Sequence, residues 1–254
     1  MIKLIVCDLD GTLLPAGEKK LDEKVFKTLD LLKDKNVAFC VASGRSYHEL
    51  KRLFADSSVD IYFIASDGAL AVYKEETLFQ NTISSSAESM LISSARSQGL
   101  PGVMFSSKYL SYYVCSCPKF SDYVHKNLNY HVLRVSRAQE MEESVYKVSF
   151  YRKHKLTLSA DLNRQLTEVY DGGKWQDFVP NGTDKAEAIS KLQKLLGISV
   201  AETAVFGDNT NDVKMLLSTP NSYVVAGANT EAIKAGRHQT ENILKTIEEI
   251  ILNK

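Results

Sequence analysis

The sequence predicts an α/β fold built on a parallel sheet, with an α+β segment inserted in the middle of the chain. Short apolar runs that are typical of buried strands alternate with stretches whose apolar residues recur at helical spacing, near both ends of the chain. Between these two blocks the pattern changes to a polar helix and isolated strand-like pieces. We therefore expect the two terminal blocks to form one sheet and the middle segment to stand apart from it.

The N-terminal block begins with an apolar strand over 4–9 and a helix over 21–35. Within that helix Leu21, Val25 and Leu29 recur at helical spacing, which predicts one buried face. The remaining predicted elements of this block are a strand over 37–42, a helix over 46–54 and a strand over 61–65. This order of strand and helix is typical of β-α-β units in a parallel sheet.

The C-terminal block repeats the alternation of helix and strand. Its predicted elements are a helix over 184–196, a strand over 204–206, a helix over 212–217, a strand over 223–226 and two final helices. The middle segment contains a polar helix over 85–98 and strand-like pieces over 103–105, 109–115 and 145–151. We assign the core domain to residues 1–80 and 180–254, and the inserted α+β domain to residues 81–179.

Composition excludes several classes of protein. The 254 residues include 31 basic and 31 acidic side chains, so there is no global positive field of the kind that favours nucleic-acid binding. No apolar stretch approaches the roughly 20 residues of a membrane span, and the first apolar run is too short for a signal peptide. We expect a cytoplasmic protein with no membrane or nucleic-acid partner.

The four cysteines lack the paired spacing of a metal site, and we interpret them as free thiols. They are Cys7, Cys40, Cys115 and Cys117. The last two stand two residues apart on a predicted strand, so we expect them to point to the same face of that strand.

Four short segments with reactive side chains follow predicted strands or begin a predicted helix. In open α/β sheets ligands bind beyond the carboxyl ends of the strands, so residues at these ends are the first candidates for a site. The segments are 8–12 (DLDGT), 43–45 (SGR), 181–185 (NGTDK) and 207–212 (GDNTND). We expect all four to lie at one edge of the sheet.

The carboxylates of these segments need a counter-charge if they meet. Two carboxylates about 4 Å apart repel by roughly 4 kcal/mol at an effective dielectric of about 20. A hard cation relieves this repulsion, and Mg²⁺ suits such oxygen ligands better than zinc, since the four segments contain no His or Cys. Gly11 permits a tight exit of the chain from the first strand. The candidate metal residues are Asp8, Asp10, Asp208 and, in support, Asp212.

The same segments are suited to holding and transferring a phosphoryl group. Lys185 adds a positive charge, and the Ser43 hydroxyl and the amides around Gly44 are suitable donors to phosphate oxygens. Asp8 and Asp10 are spaced so that both face the same side. In a two-step displacement, one carboxylate attacks phosphorus while the other protonates the leaving oxygen and later takes a proton from water.

In order along the chain, the segments resemble the four motifs of the haloacid dehalogenase superfamily of phosphohydrolases, specifically its Cof-type sugar-phosphatase branch. The motifs correspond to 8–12, 43–45, Lys185 and 207–212. The resemblance covers essentially the whole chain, and the middle segment stands where that branch carries an α+β cap of the C2B type. It implies a Rossmann-like core in which the cap governs substrate specificity.

The resemblance also implies a role for each motif residue. Asp8 would be the nucleophile and Asp10 the general acid/base, and Mg²⁺ would be bound by Asp8, the Asp10 carbonyl and Asp208. Asp212 would support the metal site. The residues expected to hold phosphate are Ser43, Gly44, Lys185 and Asn211.

Two residues depart from the pattern of that branch. Ala186 follows Lys185 where glycine is usual, and we expect a helix to tolerate it. Asp67 stands where asparagine is common, and we expect it to add negative charge near the substrate. Asp67 and Arg45 are each candidates for a substrate contact, with a structural ion pair as the alternative for each.

These observations predict a Mg²⁺-dependent phosphatase that hydrolyses small phosphorylated metabolites, sugar phosphates first, through an aspartyl-phosphate. A phosphomutase on the same fold and a non-catalytic phosphate-binding module are the alternatives, although the latter would usually have lost Asp8 or Asp10. We expect a small-molecule phosphate ester as the partner and a monomer or weak homodimer.

Overall fold

The computed structural model describes residues 1–115, 117–124, 126, 132–152 and 154–252, which form two β-sheets with helices packed on them. The N-terminal elements are β1 (Leu4–Cys7), α1 (Glu23–Asp34), β2 (Ala38–Ala42), α2 (Tyr47–Leu53), β3 (Tyr62–Ala65), β4 (Leu70–Tyr73) and β5 (Glu76–Gln80). The middle elements are α3 (Ser85–Ser97), β6 (Gly102–Ser106), β7 (Ser111–Cys115), α4 (Pro118–Tyr123), β8 (Val132–Arg134), β9 (Lys147–Tyr151), α5 (Ala160–Asn163), β10 (Leu166–Gly172) and β11 (Trp175–Pro180). The C-terminal elements are α6 (Lys185–Leu196), β12 (Thr203–Gly207), α7 (Val213–Leu217), β13 (Asn221–Val225), α8 (Thr230–Ala235), β14 (His238–Thr240) and α9 (Ile243–Leu252).

The larger sheet joins the two ends of the chain in the strand order β14-β13-β12-β1-β2-β3-β4-β5. The pairings from β14 to β3 are parallel, and β1 lies between β12 and β2. The register pairs Cys7 with Phe206 on one side and with Val41 on the other. The carboxyl ends of β1, β2 and β12 therefore meet at one edge, and the predicted α/β fold is confirmed.

Two features of this sheet were not predicted. An antiparallel hairpin of β4 and β5 extends the edge beyond β3, and the short strand β14 lies between the two final helices. The two-residue turn of the hairpin consists of Lys74 and Glu75, which both have positive φ angles. Glycine and asparagine usually occupy such turns, so the sequence carries no turn signal there.

Helices cover both faces of the larger sheet. On one face α1 and α9 pack against side chains that include Ile5 and Phe206, and on the other α6, α7 and α8 pack against Leu4 and Val6. The alternation of β1 side chains between the two faces explains why the whole strand is apolar. The core is thus three layers with β1 at its centre.

The smaller sheet has the strand order β10-β11-β9-β6-β7-β8 and is antiparallel except for the parallel pair β7 and β8. Helix α3 packs on one of its faces through Leu91 and Ile92, against Phe105 and Phe150. The opposite face faces the carboxyl edge of the larger sheet, as the cavity described below shows.

The expectation that Cys115 and Cys117 share one strand face is wrong. Strand β7 ends at Cys115, and Cys117 is the N-cap residue of α4, with Pro118 in the first helical turn. Proline at this position favours a helix start, because its missing amide proton has no partner there in any case. In the described part of the chain, no helix combines the length and the apolar character needed to cross a membrane.

Candidate active site

The end of β1 positions Asp8 at the centre of the carboxyl edge. The amide of Asp8 donates a hydrogen bond of 2.9 Å to the carbonyl of Phe206, which continues the parallel ladder one residue beyond the strand. The chain then turns sharply at Gly11, which has a φ of +87°. A Cβ atom on Gly11 would overlap the carboxylate of Asp208, so glycine permits both the turn and the close approach of the two loops.

Lys185 is the buried cation of the site. It is the first residue of α6, whose N-cap residue Asp184 accepts a hydrogen bond from the Glu187 amide. The Lys185 ammonium lies 2.5 Å from Oδ1 of Asp8 and 2.7 Å from Oδ1 of Asp212. Burial alone would lower the pKa of Lys185, but these carboxylates outweigh it and raise the pKa above its ordinary value.

Three carboxylates converge where a metal ion can bind. One oxygen each from Asp8, Asp208 and Asp212 lies within 4.8 Å of the others. Burial raises the pKa of Asp8 well above its usual range, and the Lys185 ammonium opposes this only in part. Burial also raises the pKa of Asp208, whose Oδ1 accepts a 2.6 Å hydrogen bond from the Thr12 hydroxyl. A cluster of oxygen donors with excess negative charge fits a hard divalent cation.

Asp212 also shapes the loop after β12. Its Oδ2 accepts hydrogen bonds of 3.1 Å from the amides of Asp208 and Asn209, while its Oδ1 contacts Lys185. The fully buried Asp212 carboxylate thus links the loop to the lysine. Asp212 therefore contacts both the Asp208 backbone and the Lys185 ammonium.

Asp10 lies outside this carboxylate cluster and forms an ion pair with Arg45. The Arg45 Nε donates a 2.9 Å hydrogen bond to Oδ2 of Asp10, and the Nη2 donates one of 2.5 Å to Oδ1. Half of the Asp10 side chain is exposed, and Asp10 lines the cavity described below. Both carboxylate oxygens are therefore oriented by one planar guanidinium.

The loop after β2 carries Ser43 and Gly44. The amide of Ser43 donates to the carbonyl of Ile64, and its buried hydroxyl accepts a 3.2 Å hydrogen bond from the Arg45 amide. Helix α2 begins after this loop, with Ser46 as N-cap residue in a capping box with Glu49. The capping box anchors the loop at the start of the helix.

Asp67 joins the site from the loop after β3. It is buried, has a φ of +55°, and its Oδ1 accepts a 3.2 Å hydrogen bond from the side-chain amide of Asn211. Asp67 also packs against Gly44, where an added Cβ would lie 3.0 Å from Oδ2. Asp67, which stands where the family branch commonly has asparagine, therefore orients the side chain of Asn211.

A cavity of about 330 Å³ opens between the carboxyl edge of the larger sheet and the smaller sheet. The predicted site residues that line it are Asp8, Asp10, Ser43, Gly44, Arg45 and Asn211. Lys185, Asp208, Asp212 and Asp67 contact these residues without lining the cavity. The structure thus brings all of the predicted site residues into one neighbourhood.

Residues of the smaller sheet that the sequence analysis did not identify form the opposite wall. Lys147 is the central one: its ammonium donates a hydrogen bond to the carbonyl of Gly44 and lies 3.2 Å from Asp177 and 3.7 Å from Asp67. Burial alone would lower the pKa of Lys147, but Asp177 and Asp67 raise it to about 12. The other residues on this wall are Met104, Ser106, Ser111, Ser149, Tyr170, Trp175 and Asp177.

One signal in the sequence points to that wall. In the stretch KVSFY over β9, Lys147 and Ser149 alternate with the buried apolar residues Val148 and Phe150. Alternation of this kind indicates a strand with one polar face. It does not indicate what the polar face would meet.

The chain belongs to the haloacid dehalogenase-like hydrolase family, whose model matches residues 5–245. A relative is the 5-amino-6-(5-phospho-D-ribitylamino)uracil phosphatase YbjI of Escherichia coli (strain K12), which is 25% identical over 264 residues, 98% of this chain and 96% of that protein. The predicted resemblance is confirmed. The chain is therefore a hydrolase of a family whose named members include phosphatases.

Two solved structures show the same fold over nearly the whole chain. A haloacid dehalogenase-like hydrolase from Bacteroides thetaiotaomicron has a TM-score of 0.85 and 20% identity, and covers 98% of this chain and 100% of its own. The HAD subclass IIB sugar phosphatase BT4131 has a TM-score of 0.78 and 17% identity, and covers 98% of each chain. These likenesses establish the two-sheet architecture.

Proposed function

We propose that this chain is a Mg²⁺-dependent phosphatase that releases phosphate from small sugar phosphates through an aspartyl-phosphate on Asp8. The observation that carries the proposal is the environment of Asp8: a buried carboxylate that contacts Lys185, lies within 4.8 Å of Asp208 and Asp212, and lines a cavity with Asp10. The sugar phosphatase with the same fold and the phosphatase relative support this reaction class.

Asp8 and Asp10 divide the chemistry between them. In the first step an Asp8 oxygen forms a bond to phosphorus, the bond from phosphorus to the ester oxygen breaks, and Asp10 gives that oxygen a proton. In the second step water attacks phosphorus, Asp10 takes the proton from water, and the Asp8 carboxylate leaves. The two steps restore both side chains and release the alcohol and inorganic phosphate.

Arg45 holds Asp10 at the cavity wall, but a carboxyl oxygen that carries the proton for the ester oxygen cannot keep its hydrogen bond from Arg45. Its two hydrogen bonds hold the Asp10 carboxylate in one plane at the cavity wall. Proton transfer requires the carboxyl group to stay within hydrogen-bond reach of the ester oxygen in the first step and of water in the second. Asp10 therefore releases one of its two hydrogen bonds from Arg45 whenever it carries the proton, and the other bond keeps the side chain at the cavity wall.

The donor set fits a magnesium ion. Asp8, Asp208 and the Asp10 carbonyl would bind it, Asp212 would support it, and when bound it supplies positive charge to the phosphate oxygens. Ser43, Gly44, Lys185 and Asn211 would bind the remaining phosphate oxygens. Lys185 orients the Asp8 carboxylate and favours its charged form, which opposes part of the effect of burial.

Residues 81–179 would act as a cap that encloses the leaving group. The smaller sheet supplies one wall of the cavity, so the ester group that leaves with its oxygen would lie between the two sheets. Closure around the substrate excludes water from the attack on phosphorus until the alcohol has left. The core would then recognise phosphate, and the cap would recognise the rest of the molecule.

The test is phosphate release from a panel of hexose phosphates, pentose phosphates, nucleotides and cofactor phosphates, with Mg²⁺ or with EDTA. We expect Mg²⁺-dependent release that is lost in Asp8→Asn, which keeps the shape of the side chain but removes its charge. Asp56→Asn, at an exposed surface position, is the matched control and should behave as wild type. Transfer of the phosphoryl group to a second sugar without release would instead identify a phosphomutase.

A further inference from the structure

Alternate side chains of β9 and β11 form one wall of the cavity, because successive residues of a strand point to opposite faces of the sheet. Trp175 and Asp177 point to the cavity, whereas Gln176 and Phe178 are buried on the other side. The register places Asp177 opposite Ser149 on β9 and opposite Tyr170 on β10, and both of these residues also line the cavity. Asp177 therefore lies in the middle of the wall that faces the core site.

One oxygen of Asp177 has an unmet capacity for a hydrogen bond. Its Oδ2 lies 3.2 Å from the Lys147 ammonium, but its Oδ1 is buried and has no hydrogen-bond partner among the described residues. A buried polar atom without a partner is costly, so one that a native protein retains calls for an explanation such as a function. In a cavity wall, that function is the binding of a ligand donor.

Lys147 fixes the direction in which this oxygen points. It is itself held by the Gly44 carbonyl and by Asp67, both of which belong to the larger sheet and its loops. With Oδ2 engaged by the lysine, Oδ1 is the oxygen left for a ligand. Trp175 lies two residues along the same strand face and offers an aromatic surface beside the acceptor.

We infer that Asp177 determines substrate specificity: its Oδ1 accepts a hydrogen bond from a hydroxyl or amino group of the leaving group, while Trp175 packs against the adjacent ring face. This inference rests on the proposed phosphatase function. The substrate class is phosphate monoesters whose leaving group combines a hydrogen-bond donor with a ring. Esters that lack the donor leave the acceptor unpaired and are selected against, because an unpaired buried group is costly.

The test compares kcat/KM for pairs of esters that differ in one donor. The pairs are ribose 5-phosphate with 2-deoxyribose 5-phosphate for a hydroxyl donor, and pyridoxamine 5′-phosphate with pyridoxal 5′-phosphate for an amino donor. p-Nitrophenyl phosphate, whose leaving group has no donor, is the common reference. The proteins are wild type, Asp177→Asn, Asp177→Ala and the control Asp171→Asn, a cap carboxylate on β10 that pairs with Lys155 away from the cavity.

We expect the wild type to prefer donor-bearing esters over the reference, and both Asp177 variants to reduce that preference by roughly 10- to 100-fold, mainly through KM. The Asp171→Asn control should keep the wild-type preference. The ester pair whose ratio of kcat/KM values changes more in the Asp177 variants shows whether the donor on the leaving group is a hydroxyl or an amino group. Thermal melting of each variant shows whether the cap stays folded.

Two results overturn the inference while leaving the proposed function intact. One is an unchanged preference in both Asp177 variants, and the other is an equal loss for every ester including the reference, which would mean that Asp177 only supports the cap. A wild type that releases phosphate from no ester would overturn the proposed function and this inference together.

Discussion

The ammonium of Lys185 lies 2.5 Å from Oδ1 of Asp8, and both side chains are buried. The two residues are 177 positions apart in the sequence, and the contact forms because α6 begins at Lys185 and β1 ends immediately before Asp8. Lys185 also contacts Asp212, so one lysine offsets part of the charge of two carboxylates. Removing it should change both stability and the response to metal.

Replacement of Lys185 with methionine leaves the carboxylates of Asp8 and Asp212 without the cation that contacts both. We expect the free energy of unfolding to fall by about 3–5 kcal/mol in EDTA, because breaking a buried ion pair leaves uncompensated charge. Added Mg²⁺ should restore more stability to the variant than it adds to wild type. Urea unfolding with EDTA or Mg²⁺ measures both effects, and Lys191→Met, an exposed residue of the same helix, is the control. An equal Mg²⁺ effect on variant and wild type would contradict the prediction.

Lys147 joins the two sheets through the Gly44 carbonyl, Asp67 and Asp177. We expect Lys147→Met to lower the free energy of unfolding by roughly 2–4 kcal/mol, because two nearly buried carboxylates lose their cation. The matched control is Lys155→Met, which removes an exposed lysine between β9 and α5 and should cost less than about 1 kcal/mol. Urea denaturation at pH 7 measures the difference. Equal midpoints for the two variants would show that Lys147 is not the main link between the sheets.

Gly11 should be intolerant of a side chain for a reason that goes beyond backbone strain. Gly11→Ala places a Cβ against the Asp208 carboxylate, whereas Gly17→Ala meets nothing within 4 Å although its φ is +90°. Both variants carry the strain of a positive φ, about 1–2 kcal/mol. Only Gly11→Ala should displace Asp208, and we expect phosphate release to fall at least about 100-fold with a higher Mg²⁺ requirement. Similar activities for the two variants would exclude this explanation.

Glu88 should make the stability of the protein depend on pH. It is 5% exposed in α3, and burial raises its pKa to about 7, compared with about 4.3 for an unfolded chain. Between these values the folded protein binds more protons than the unfolded chain. The free energy of unfolding should therefore fall as pH rises from about 4 to 7, by up to roughly 3 kcal/mol, and level off above.

Glu88→Gln tests this dependence, because an amide cannot ionise. We expect the variant to be more stable than wild type at pH 8 and nearly equal to it at pH 4.5, as measured by urea unfolding across that range. Glu187→Gln, at an exposed position of α6, provides the control and should leave the pH profile unchanged. A Glu88→Gln profile parallel to that of wild type would contradict the assignment.

Much of the core fold was accessible from the sequence because its signals are local. The helix predicted over 21–35 is observed as Glu23–Asp34, and Asp22 caps it by accepting a hydrogen bond from the Lys24 amide. The strands at β1, β2 and β12 were predicted within two residues, since buried parallel strands are continuous apolar runs. The hairpin of β4 and β5 escaped prediction because its turn uses lysine and glutamate at positive φ.

The site residues also divide into those that a local sequence pattern identified and those that it did not. The carboxylates of Asp8 and Asp208 were identified because each follows a strand, and parallel strands end at one edge. Lys147 and Asp177 were missed because each is one polar residue in an amphipathic strand of the other sheet. Their importance depends on what lies across the cavity, and no local pattern encodes that.

The sequence by itself determined the α/β core, the position of the reactive residues at its strand ends and the family. It could do so because buried strands and short motifs are patterns of residues that are neighbours in the sequence. Tertiary structure alone decided that Arg45 pairs with Asp10, that Lys147 links Asp67 to Asp177, and that one oxygen of Asp177 has no partner among the described residues. These contacts join residues that lie 30 to 80 positions apart in the sequence. They depend on how the loops at the carboxyl edge of the larger sheet meet each other and the face of the smaller sheet, which is a property of the whole chain.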